Sequence, residues 1–89
     1  MAWTIELTAT AAKHLARLDR TESRRIVGFL RERVASLEDP RMLGKALTGA
    51  RLGAYWRYRV GDWRIICDIQ DSRLVILVVA LGNRSDVYR

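Results

Sequence analysis

Between residues 55 and 81 the chain leaves room only for strands. Tyr55-Trp56-Arg57-Tyr58-Arg59-Val60 alternates large apolar side chains with arginines, the period-two pattern of a strand with one buried face. Gly61-Asp62 follows, a two-residue connection of the hairpin type, and a second strand is expected over about 63–69. Asp71-Ser72 makes another turn into Leu74–Leu81, which is apolar at every position. That run predicts a central strand covered on both faces.

The N-terminal half reads differently. Trp3-Thr4-Ile5-Glu6-Leu7 alternates as a half-buried strand, and Thr8 is placed to cap a helix whose apolar side is expected at Ala12, Leu15, Ala16 and Leu18. Asp19-Arg20-Thr21 interrupts the pattern and offers a second cap. A longer helix is then predicted to about Leu37, with Ile26, Leu30, Val34 and Leu37 inward. Asp39-Pro40 ends it, because the residue before proline disfavours helix. Residues 41–54, with Gly44, Gly49 and Gly53, read as an irregular connector with a short strand near Lys45-Ala46-Leu47. The order β-α-α-β-β-β over one domain, 1–89, predicts an α+β fold: a mainly antiparallel sheet with an N-terminal helical hairpin packed on one face.

The composition narrows the function by exclusion. The longest apolar stretch is eight residues, far short of the ~20 needed to span a bilayer. The N-terminus lacks a basic start leading into an apolar run, and Cys67 is the one cysteine, so a cytoplasmic location is expected. The one histidine, His14, lies beside Lys13 and Arg17 and is expected on a solvated helix face. Metal sites need several converging ligands, and the sequence offers no such set, so no metal or other cofactor is expected. Phosphate-cradling glycine motifs and nucleophile elbows are also missing.

Charge supplies the positive clue. Sixteen basic and ten acidic residues give a net charge of +6. Residues 1–39 contribute +1 and residues 40–89 contribute +5, so the excess is local. Alternation puts Arg57 and Arg59 on one strand face, with Trp56, Tyr58 and Val60 on the other. Arg64 lies across the turn, and the tail can bring Arg84 and Tyr88 over the same face. Arginine presents a planar fork of donors matched to phosphate oxygens. A nucleic acid is therefore the favoured partner over an acidic protein. Trp56, Tyr58 and Trp63 could stack bases, but their phase favours packing against the helices; Tyr88, in a polar tail, is the aromatic assigned to substrate.

Leu43-Gly44-Lys45-Ala46-Leu47-Thr48-Gly49, the hairpin from Tyr55 to Ile66, and Gly82-Asn83-Arg84 leading to Val87-Tyr88-Arg89 together resemble the RelE branch of the RelE/ParE toxin superfamily. The resemblance implies a RelE-like fold and a toxin of a bacterial toxin–antitoxin pair, neutralised by a cognate antitoxin. It further implies a ribosome-dependent, metal-independent endoribonuclease that cuts mRNA in the ribosomal A site, the 2′-hydroxyl attacking the adjacent phosphate. On that likeness Arg57, Arg59, Arg64, Arg84 and Tyr88 are the expected catalytic set, Arg64 and Arg84 gripping the scissile phosphate. Lys45, Arg51 and Arg89 are expected as further contacts to RNA or the ribosome. Several relatives carry lysine where Arg57 or Arg59 stands, and many carry histidine at the position of Asn83. Arginine does not deprotonate, so proton transfer is expected from Tyr88, water or a ribosomal group. A ParE-like inhibitor of DNA gyrase and a non-catalytic module binding RNA or an acidic partner remain as alternatives.

Overall fold

The computed structural model describes residues 3–47 and 55–83. Strand β1 (Thr4–Leu7) leads into helix α1 (Ala9–Ala16) and helix α2 (Arg20–Phe29). A short strand β2 (Lys45–Ala46) precedes β3 (Trp56–Val60), β4 (Trp63–Gln70) and β5 (Val75–Asn83). The strands form one sheet in the order β1-β5-β4-β3-β2, with β1 parallel to β5 and every other pair antiparallel.

The local chemistry explains the boundaries. Thr8 accepts the Ala11 N–H on its side-chain oxygen, and Asp19 does the same for Glu22, so both expected helix caps are made. Helix α2 runs on into a π-helical turn, Leu30–Val34, closed by the Ala35 N–H reaching back to the Leu30 carbonyl. The wider turn lets the adjacent residues Val34 and Ala35 both be buried. The Ala35 carbonyl then accepts the Trp3 N–H at 3.0 Å, fixing the start of β1. Leu37, expected inside the helix, lies beyond this turn and is half-buried. Gly61, at φ +60, takes the first central position of the β3–β4 turn, where glycine's freedom is needed.

The core lies between the helices and one sheet face. Ala11, Ile26, Leu30 and Val34 meet Tyr58, Val60, Ile65, Cys67, Ile69, Ile76, Val78 and Leu81. The phase of α1 differs from the expectation: Ala11 is buried, while Ala12 and Ala16 are exposed. Alanine is too small to fix a helix's rotation, and Leu15 and Leu18 pack against the core in either phase. Leu74 is not the first residue of the last strand but sits in the preceding turn at φ +53, with the strand running from Val75 to Asn83. That strand is central, between β1 and β4, and Val75 on its outer face is buried. Among the described residues the helices cover one face, and Leu77 and Ala80 on the other are half-exposed.

The strand has one irregularity, between Ile66 and Cys67 of β4: Ile66 faces Ala80 while Cys67 faces Val78, leaving Val79 as an extra residue. The start of α1 uses it. Thr8 donates its hydroxyl to the Val79 carbonyl and its N–H to the Val78 carbonyl. His14 is not simply solvated, as expected: it is half-buried, and its Nδ1 accepts the Leu81 N–H at 3.2 Å. The helix thereby occupies backbone groups of β5 beyond the last β1 pairing, at Val78.

Candidate active site and nucleic-acid interface

The candidate residues that the structure describes lie on the sheet face away from the helices, and strand register decides which of them share it. Trp56, Tyr58 and Val60 turn inward, as their phase predicted. The Tyr58 hydroxyl donates to the Pro40 carbonyl at 2.6 Å, and its ring meets Phe29 edge-on at 6.1 Å. Trp56 Nε1 donates to the Leu43 carbonyl at 2.6 Å, and Trp63 Nε1 to Glu22 Oε2 at 2.7 Å. All three indole or phenol donors are used inside the protein, which holds these rings toward the helix side of the sheet. Burial pushes the Tyr58 hydroxyl and the Cys67 thiol well above their ordinary pKa values, so neither supplies an anion near neutral pH.

With those side chains inward, Arg57 and Arg59 are held outward. Arg57 is opposite Lys45 of β2, and Arg59 is opposite Arg64 of β4. Four cations thus occupy one face in two cross-strand rows. The rows continue onto small or apolar residues: Arg57 onto Ile66 and Ala80, Arg64 onto Gly82. A glycine beside Arg64 puts no side chain on the sheet at that position. Arg59 is further fixed by its Nε donating to the Gly61 carbonyl at 3.1 Å. The Arg64 Nε is shut off from solvent, and Arg57 is half-buried.

Gly44 ties β2 to this arrangement. It has φ +75, and a Cβ there would collide with the Arg57 carbonyl and approach the Trp56 indole nitrogen to 2.9 Å. The backbone carrying Lys45 can lie against β3 because residue 44 has no side chain.

Asn83 falls in the row of Trp63, on the helix side, not with the arginines. It lines a depression of about 430 Å³ with His14, Arg17, Leu18 and Trp63. Arg51, Arg84, Tyr88 and Arg89 lie outside the described residues. Sequence reasoning passed over the arginines of α2, which crowd the β3–β4 turn. Their signal was diluted by the acidic residues of the same half. No three His, Cys, Asp or Glu gather among the described residues in a way that could hold a metal ion.

Like charges directly opposite in a sheet destabilise it, and here two such pairs share one face. An anion bound between them removes that repulsion. Residues 5–88 match the sequence model of the ParE toxin of type II toxin–antitoxin systems. This chain belongs to that toxin family. It is thus a type II toxin of the RelE/ParE superfamily, and its fold is shared with RelE proteins. The toxin–antitoxin complex RelBE2 from Mycobacterium tuberculosis aligns with TM-score 0.84 and 23% identity, covering 97% of this chain and 95% of that one. The isolated RelE toxin of E. coli aligns with TM-score 0.72 and 22% identity, over 98% and 92% of the two chains. The archaeal RelE–RelB complex from Pyrococcus horikoshii gives TM-score 0.69 and 24% identity, over 98% and 100%. No curated protein sequence matches the chain significantly. No helix among the described residues is long and apolar enough to cross a membrane.

Proposed function

We propose that this toxin is a ribosome-dependent endoribonuclease acting on mRNA in the cytoplasm, with its active site on the outer sheet face and a RelB-type antitoxin as its inhibitor. The observation that carries the reading is the opposed pair Arg59 and Arg64, set beside the side-chain-free position Gly82. A phosphodiester lying there meets two guanidinium groups, and a phosphorane-like transition state gains negative charge where they stand. Arg64 would hold the scissile phosphate, with Arg57 and Lys45 binding the neighbouring phosphate. The 2′-hydroxyl of the preceding nucleotide attacks phosphorus, the 5′-oxygen leaves, and a 2′,3′-cyclic phosphate forms. Arg84 and Tyr88, from the tail sequence, complete the set: Arg84 on the phosphate, Tyr88 stacking on a base or moving a proton through its hydroxyl. Arg51 and Arg89 would add contacts to the ribosome.

The family match favours a second reading, since it is to ParE toxins: inhibition of DNA gyrase by binding, without RNA cleavage. One pair of assays separates them. The purified protein is added to mRNA-programmed ribosomes with an empty A site, and RNA ends are mapped for the parent and for Arg64→Ala. Cleavage in the A-site codon that needs ribosomes and disappears in the variant supports the nuclease. Intact mRNA together with blocked gyrase supercoiling supports the ParE-type activity and rejects the nuclease.

A further inference from the structure

The basic surface does not stop at the outer sheet face. Strand β2 pairs only with Trp56 and Arg57, so the edge of β3 from Tyr58 onward has no strand beside it among the described residues. There the two faces of the sheet meet in an open depression of about 460 Å³ lined by Arg24, Arg25, Arg33, Arg59, Phe29 and Glu32, among others. Arg24 and Arg25 come from α2, Arg33 from the π-helical turn, and Arg59 from β3. All four arginines are exposed. Two of them converge on the β3–β4 turn: Arg59 Nε donates to the Gly61 carbonyl, and Arg25 Nη1 would stand 3.0 Å from a Cβ placed on Gly61. Among the described residues no ion pair involves Arg24, Arg25 or Arg33. Four cations thus face one carboxylate, Glu32, across a concave surface.

A solvated helix face usually mixes signs and pairs them along the helix. This one concentrates a single sign around a concavity and is continuous, through Arg59, with the row containing Arg64. We propose that the depression is a second phosphate-backbone contact, where Arg24, Arg25 and Arg33 hold a segment of structured RNA separate from the strand on the outer face. The proposal rests on the reading of the partner as RNA. Its chemistry selects phosphate over an acidic peptide. Guanidinium forks need only oxygen pairs to bind, whereas a tight peptide contact needs an apolar anchor pocket, and only Phe29 and Val60 offer apolar surface here. A helical RNA presents phosphates in rows that a convex peptide does not. Arg59 then links the two contacts, so the substrate strand and the docking segment are held in fixed relation.

The test uses the full chain and a fluorescently labelled RNA hairpin with a long duplex stem, its binding followed by anisotropy across a series of KCl concentrations. Removing one cation from a phosphate lowers the slope of log affinity against log salt by about 0.7–0.9, so Arg24→Gln/Arg25→Gln/Arg33→Gln is expected to lower it by about 2–3. Affinity at the lowest salt should fall at least about tenfold, with an unchanged circular dichroism spectrum. Hairpin binding does not depend on cleavage, so a toxin that never cuts mRNA can still pass this test. An unchanged slope and affinity in the folded variant would overturn the proposal. So would polyglutamate displacing the hairpin as effectively, per charge, as unlabelled duplex RNA, which would assign the surface to an acidic protein.

Discussion

Arg59 and Arg64 stand opposite each other on β3 and β4, where their like charges cost stability, and changing the charge at position 59 should recover it. Directly opposed residues on neighbouring strands have Cβ atoms about 5 Å apart, and long side chains can splay to about 7 Å between charges. Coulomb's law at that distance gives about 0.6 kcal/mol of repulsion in a water-like dielectric. At ~10 mM salt, with a Debye length near 30 Å, about 0.5 kcal/mol remains. Arg59→Gln removes the repulsion but also the Nε bond to Gly61, so its net effect is small. The informative step is from Arg59→Gln to Arg59→Glu, since both lack that bond and differ in charge. It turns a neutral partner of Arg64 into an attractive one worth about 0.5 kcal/mol, and for a chain of this size raises Tm by roughly 2–4 °C. Thermal melts by circular dichroism at low salt and at 1 M NaCl provide the assay. The gain from Gln to Glu should appear at low salt and collapse at 1 M, where screening acts within about 3 Å. A Glu variant no more stable than the Gln variant at low salt, or a gain that survives 1 M salt, would show that the opposed charges at 59 and 64 do not set this stability. The Glu variant should also be the least active.

Three other perturbations test neighbouring parts. Tyr58→Phe leaves the ring contact with Phe29 but strands the Pro40 carbonyl, and should cost about 1–3 kcal/mol in urea denaturation with m unchanged. Gly44→Ala drives a methyl group into the Arg57 carbonyl at a left-handed backbone position. It should destabilise by about 2 kcal/mol or more and reduce activity beyond what folding explains, because it shifts the strand carrying Arg57. Hydrogen bonds from Arg41, at 3.0 and 2.8 Å, hold the Asp71 carboxyl below its usual range, so the pair's stabilisation is present above about pH 4 and lost as pH falls through the lowered value. Asp71→Asn should therefore lower Tm at pH 5 and match the parent in strong acid.

What was readable in the sequence, and what was not, follows a physical line. The hairpin could be read because alternation and Gly61-Asp62 fix register locally, and register alone puts Arg57, Arg59 and Arg64 on one face. The caps at Thr8 and Asp19 were equally local. What failed depended on distant partners. Nothing near Ala11 and Ala12 says which of them meets the sheet, since alanine contributes little burial either way. His14 could not be assigned its role without knowing that the extra residue Val79 leaves the Leu81 N–H to be met by α1. The basic depression escaped because Arg24, Arg25 and Arg33 join Arg59 only through the packing of α2 on the hairpin. The residues 48–54 and 84–89, which carry Arg51, Arg84, Tyr88 and Arg89, remain assigned from sequence.

The pairing of β1 with β5 governs when the molecule can be assembled. Thr4 to Leu7 align with Val75 to Val78, so the first strand waits for β5, across a loop on the order of 70 residues whose closure entropy must be met before any contact rewards it. Helices and the central hairpin are local and can form early. During synthesis, β5 is the last of these strands to emerge. A nascent chain therefore carries its arginine hairpin before it owns a finished sheet, and the basic face exists for a time on a scaffold that cannot yet hold it in register.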